Sequence, residues 1–200
     1  AKIVSIDTSK AVAMPGVKAV VTGDDFPALD ITDPNHDVSI NVLARGTVLY
    51  HGHAIAAVAA TTKVEAQAAV AAIEVDYELL PVVLGIYESM ADGAPLANEQ
   101  IYQKFVGPSD TSFIATHTPL ERGDADAAMA AADIVIEREF DCAHVHQGYI
   151  EPHACVVDTG ADGKANVWAS SQGHFMVRAI TAAVLGWETS RVKVTPAEIG

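Results

Sequence analysis

AIAAVAATTKVEAQAAVAAIEVDYE, residues 54–78, decides the fold class. Ala54 to Thr61 reads as a buried strand, an apolar run bounded by threonines. Lys63 to Ala72 sets Val64, Ala68 and Ala71 on one face and Glu65 on another, the period of an amphipathic helix. Ile73 to Glu78 alternates apolar and polar residues, the period of a half-buried strand. Strand, helix and strand in succession predict a crossover unit, right-handed if its strands are parallel. Pro81 ends the unit.

Toward the N-terminus, Lys2 to Asp7 and Val17 to Thr22 read as strands. Between them Thr8 or Ser9 caps a short helix that Pro15-Gly16 ends. Residues 27–41 hold Pro, Asp and Asn without periodicity and predict a loop. His51-Gly52 reads as a turn after the apolar Val48 to Tyr50. Toward the C-terminus, residues 85–112 are rich in Gly, Pro, Asn and Asp and predict a linker. Gly123 to Ala132 predicts a helix with acids in its first turn, where the dipole favours them. Ile134 to Phe140, Ile150 to Asp158, Lys164 to Ser170 and Arg191 to Thr195 predict strands. Gly173 to Leu185 predicts a helix stopped by Gly186. The expected fold is α+β in two parts, residues 1–83 and 113–200, joined by a linker over 84–112.

Composition limits function. The chain has 200 residues, half of them hydrophobic, which suits one or two domains with a real core. A formal charge of −14 repels phosphate backbones and disfavours nucleic acid as a partner. The longest apolar run, Ala54 to Ala60, is too short to span a bilayer. No signal peptide is legible, and two cysteines, Cys142 and Cys155, fit a reducing cytoplasm. No repeat, phosphate loop or Ser/His/Asp arrangement is legible.

The order of short motifs resembles the molybdenum hydroxylases, the xanthine dehydrogenase/aldehyde oxidase family. The first half is similar to their a/b hammerhead domain at Ile6-Asp7-Thr8-Ser9, Pro15-Gly16-Val17, Val21-Thr22-Gly23-Asp24, Gly52-His53, Tyr77-Glu78 and Leu80-Pro81. Members carry Gln or His where this chain has His53. The second half resembles the start of the molybdopterin-binding region at Arg122-Gly123-Asp124, Ala131-Ala132-Asp133, Ile150-Glu151-Pro152-His153, Trp168, Ser171-Gln172, Leu185-Gly186 and Glu198-Ile199-Gly200. Two departures stand out. The family's hammerhead domain begins with a further strand or two, and Gly200 matches the first glycine of the family's GGGFGGK stretch. The resemblance therefore implies a fragment of a longer large subunit, inactive alone.

It also implies chemistry. The parent hydroxylates an aldehyde or N-heterocycle with oxygen from water, using molybdenum on molybdopterin in its cytosine dinucleotide form. Iron–sulfur clusters and often FAD sit on partner subunits, and no cofactor is expected on this chain alone. A carbon monoxide dehydrogenase-like or hydroxybenzoyl-CoA reductase-like member is the alternative within the family. The location implied is cytoplasmic, with periplasmic export through a partner subunit left open. Gln172, between a strand and a helix, matches the glutamine that hydrogen-bonds an oxygen ligand of the molybdenum. A neutral amide donor suits such an oxygen as charge shifts. Its plainer role is a polar helix-start residue, and Ser171 before it is expected on the opposite face of the strand. Gly200 is implied in cofactor binding, and Glu151 and His153 in the wall of the substrate funnel.

Other clusters have plainer readings. Cys142, His144 and His146 share one face if their segment is a strand, and with Glu151, His153 and Cys155 they are all zinc-ligand types. Their spacing fits no zinc finger, so histidines near a funnel are the preferred reading. A stand-alone acidic metal-binding module is the competing hypothesis. His51-Gly52-His53 reads as a tight turn with His53 packed by the next strand. Asp24-Asp25 and Asp124/Asp126 read as turn and helix-start acids.

Overall fold

Residues 1–96, 98 and 120–200 are described in a computed structural model of the chain. The elements of the first half are β1 (Lys2–Asp7), α1 (Ser9–Val12), β2 (Val17–Thr22), α2 (His36–Val42), β3 (Ala56–Ala60), α3 (Lys63–Ala71) and β4 (Glu74–Glu78). After them come α4 (Ile86–Met90), α5 (Ala125–Ala131), β5 (Cys155–Thr159), β6 (Ala165–Ser170), α6 (His174–Leu185) and β7 (Val192–Ala197).

Helix α3 starts where Thr62 and Glu65 cap each other. The Thr62 hydroxyl accepts from the Glu65 amide at 3.2 Å, and the Glu65 carboxylate accepts from the Thr62 amide at 3.0 Å. Two of the helix's orphan donors are thereby satisfied. Gly16 passes close to that cap with φ +82°, and a Cβ there would strike the Glu65 carboxyl carbon at 2.2 Å. Only glycine suits both the conformation and the space. Ala11 and Ala69 are fully buried, so α1 and α3 approach closely.

The crossover expected over residues 54–78 does not form one sheet. β4 pairs antiparallel with β1, Lys2 opposite Glu78, and β3 pairs antiparallel with β2, Thr22 opposite Ala56. The reason lies in the alternation itself. Such half-buried strands suit antiparallel pairs, which leave one face to water, whereas a parallel sheet needs both faces covered.

The parallel crossover lies in the second half. β5, β6 and β7 form one sheet in that order, β5–β6 antiparallel and β6–β7 parallel, with α6 connecting the parallel pair. Val167, Ala182 and Val192 are its buried core, and Ala169, Trp187 and Val194 pack against them. Gly186, with φ +64°, ends α6, its amide donating to the Ala183 carbonyl at 3.1 Å and that of Trp187 to Ala182 at 2.8 Å. Left-handed glycines end helices in this way.

Two further expectations are corrected. The loop expected over 27–41 contains α2, led in by turns in which the Thr32 and Asn35 amides donate to the Asp30 and Asp33 carboxylates. Its inward side chain is the buried His36, a polar residue that hides the helical period from a hydrophobic reading. Ile134 to Phe140 is not a strand; residues 133–153 are irregular, and Ile134 and Phe140 stand 79% and 86% exposed. An alternating pattern makes a strand only where a ladder partner exists, and the described residues supply none. The common face for Cys142, His144 and His146 disappears with it. Of the expected linker, 84–96 and 98 are described and include α4, while residues 97 and 99–112 lie outside the described residues.

Candidate cofactor-binding site

The carboxyl ends of adjacent parallel strands are where open α/β sheets hold ligands. In this chain those ends belong to β6 and β7. β6 closes at Ser170, which pairs with Ala197 near the end of β7. Gln172 follows Ser170 by two residues, and Gly200 follows Ala197 by three. Two of the residues singled out in the sequence thus stand at neighbouring strand ends.

Gln172 is exposed in the turn between β6 and α6, and among the described residues its side chain has no hydrogen-bond partner. Ser171 has left the strand. Its hydroxyl accepts from the Gly173 amide at 3.0 Å and closes the turn. The expectation that Ser171 merely faces the other side of the strand is therefore corrected, because the strand stops one residue earlier.

Glu151 reaches the same place from the irregular segment. Its carboxylate accepts from the Gly200 amide. The acid is held below its ordinary value of 4.5 by the Gly200 amide most, then by the Ser170 hydroxyl, against the opposing effect of burial and with lesser help from His153. His153 is exposed, and its Nε2 shares a hydrogen bond with the Tyr149 hydroxyl, the rings edge-on at 5.3 Å. The structure thus joins Glu151 to Gly200 and brings His153 near; Ser170 and Tyr149 were missed. A serine closing a strand carries no sequence signal of its own, and neither does the Tyr149–His153 pair, because a four-residue spacing brings side chains together only on a helix and this segment is irregular.

The other candidates serve structure. His53 is buried, accepting at Nδ1 from the Leu49 amide at 3.2 Å and meeting the Ile40 carbonyl at 2.9 Å through Nε2. Asp25 accepts from the Thr22 amide, and Asp124 caps α5 by accepting from the Ala127 amide. Cys142 and Cys155 are free thiols, and no three His, Cys, Asp or Glu side chains converge among the described residues. Nor, among them, is any helix long and apolar enough to cross a membrane.

The donor set fits a molybdopterin cofactor. Gln172 presents an exposed neutral amide, unpartnered among the described residues. Gly200 packs so closely that a Cβ there would lie 3.0 Å from Glu151 Cβ, so the backbone can come near a ligand.

Residues 1–81 match the aldehyde oxidase and xanthine dehydrogenase a/b hammerhead domain, and residues 107–200 match the molybdopterin cofactor-binding domain. The whole chain aligns at 33% identity with the carbon monoxide dehydrogenase large chain of Afipia carboxidovorans, covering 26% of that protein. It aligns at 28% with xanthine dehydrogenase/oxidase of Mus musculus, covering 14%. Reconstituted CO dehydrogenase from Oligotropha carboxidovorans superposes with a TM-score of 0.78 at 30% identity, over the whole of this chain and 26% of that one. The fold is thus that of a hammerhead domain followed by a molybdopterin-binding region. The chain belongs to the molybdenum hydroxylase family of xanthine dehydrogenases, aldehyde oxidases and carbon monoxide dehydrogenases. It spans about a quarter or less of the length of these relatives.

Proposed function

We propose that this chain is the hammerhead and opening molybdopterin-binding part of a molybdenum hydroxylase large subunit. In this reading the parent inserts water-derived oxygen into an aldehyde or N-heterocycle, a small-molecule substrate. The observation that carries it is the placement of Gln172 and Gly200 at the neighbouring carboxyl ends of β6 and β7. The bound group, molybdenum on the cytosine dinucleotide form of molybdopterin, supplies the redox chemistry. The chain's own part is to seat and orient it. Gln172 offers a neutral donor toward the cofactor's oxygens, Gly200 offers backbone at close range, and Glu151 and His153 wall the approach. Residues 1–83 and 113–200 act as two units across the 84–112 linker. The rest of the large subunit completes the site, and an iron–sulfur subunit, with or without an FAD subunit, takes the electrons in the cytoplasm.

A second reading, a carbon monoxide dehydrogenase-like activity, is favoured by the 33% identity to the large chain of such an enzyme. One experiment separates them. The complete protein is purified with its partners, its molybdenum and nucleotide are measured, and turnover of aldehydes, N-heterocycles and carbon monoxide is compared. Stoichiometric molybdenum with aldehyde or heterocycle oxidation is expected. Turnover of carbon monoxide alone transfers the reading to the second class, and a protein without molybdenum overturns both.

A further inference from the structure

We propose that Glu151 is a positioning residue, whose carboxylate clasps the Gly200 amide to the end of β6 and so fixes the spacing between the Gly200 backbone and the Gln172 turn. The inference deepens the function proposed above and rests on it. Three observations carry it. The Glu151 carboxylate accepts from the Gly200 amide. The hydroxyl of Ser170, the last residue of β6, is the second group that lowers the Glu151 acid. Gly200 in turn lies so close that a Cβ would stand 3.0 Å from Glu151 Cβ and 3.3 Å from Oε2.

The topology gives the contact its meaning. Ser170 is two residues before Gln172 and pairs with Ala197, three residues before Gly200. Beyond that pair the ladder ends, and the two chains are free to splay. The Glu151 carboxylate, bonded to the Gly200 amide and lowered by the Ser170 hydroxyl, stands where the ladder bonds stop. Hydrogen bonds to an ionised acceptor are the stronger kind, and a backbone amide cannot rotate away as a long side chain can. A carboxylate engaged in this way is an acceptor for the scaffold. It holds no proton to exchange with substrate, unlike a general acid, which must keep one near working pH.

The test uses the full-length holoenzyme with Glu151→Ala, Glu151→Gln and Gly200→Ala. Residue-resolved hydrogen exchange follows the Gly200 amide, with the amides of residues 166–169 as an internal reference, and molybdenum is measured per subunit. Removing the acceptor in Glu151→Ala is expected to speed Gly200 exchange by at least about tenfold, leave the reference amides unchanged and lower molybdenum content. Glu151→Gln keeps a side-chain oxygen and is expected to restore most of the protection and the metal. Gly200→Ala is expected to speed exchange in the same direction as Glu151→Ala, because its Cβ crowds the carboxylate that accepts from the amide; this holds the test open if Glu151→Ala does not fold. Parent-like Gly200 exchange in either alanine variant, or an equal loss in Glu151→Gln and Glu151→Ala, overturns the proposal. If the parent itself carries no molybdenum, the proposed function fails, and the exchange measurement still decides the clasp.

Discussion

His53 is a staple with two different ends. Because Nδ1 takes the Leu49 N–H, the proton must sit on Nε2, where it meets the Ile40 carbonyl. The neutral ring stacks on Tyr50 with centroids 4.7 Å apart and planes 12° apart. Any replacement must offer one acceptor and one donor at similar reach, and glutamine does. His53→Leu is expected to cost about 1–3 kcal/mol for the backbone groups it orphans, and His53→Gln much less, by urea unfolding. Equal losses for the two variants refute the staple. Gln172 acts at the opposite extreme, exposed and unpartnered among the described residues. In the full-length enzyme Gln172→Ala should lower kcat more than it raises KM, by roughly a hundredfold or more, about 2.7–4 kcal/mol, as for other preorganised donors. A fully molybdenum-loaded variant turning over at the parent rate reduces Gln172 to a helix-start residue. Ser171→Ala is no neutral comparison, since its hydroxyl closes the turn. Glu151 adds a pH dependence. Its folded acid lies below 4.5, so its contact with Gly200 is fully present above pH 4.5 and is lost as pH falls through the lowered value. The Gly200 amide resonance should titrate with a midpoint below 4.5, and a midpoint at or above 4.5 contradicts the contact.

Among the elements, α3 shows what a local pattern can settle. Thr62 and Glu65 announce its start, and the reciprocal bonds form. Thr62→Ala is expected to cost roughly 0.5–2 kcal/mol, measured by thermal unfolding, and an unchanged midpoint denies the cap a role. Legibility follows the range of the cause. The turn at Gly16, the stop at Gly186 and strands β1, β2, β4, β6 and β7 were readable because short-range sterics and alternation fix them. The pairing of β4 with β1 was not, since nothing in EVDYE says which distant strand it meets. Helix α2 was hidden by the buried His36, and Ile134 to Phe140 misled because its pattern is that of a strand without a ladder. At the candidate site, Gln172, Gly200 and Glu151 are singled out by resemblance alone. The bond between Glu151 and Gly200 spans 49 positions, and no local rule predicts it.

Taken whole, the chain shows apolar side chains to water. Ile150 is 97% exposed, Phe140 86% and Val145 81%, all in the irregular stretch that carries Glu151 and His153. Large apolar side chains exposed this far are surfaces a partner can cover. The 200-residue chain expressed alone is expected to bind an apolar dye and to elute without molybdenum after incubation with released cofactor, since a site for a large cofactor needs many preorganised groups. Stoichiometric molybdenum co-eluting with the chain shows instead that the groups at β6 and β7 suffice. The pairing of β1 with β4 has a consequence for synthesis. Glu78, the partner of Lys2, leaves the ribosome 76 residues after it. At about 5–20 residues per second, β1 waits roughly 4–15 s for its neighbour. β6 and β7, joined by one helix, become available within a far shorter interval. Of these two pairings, β1 is the strand left longer with an unpaired edge, and a chaperone that shields such an edge has more time to act there.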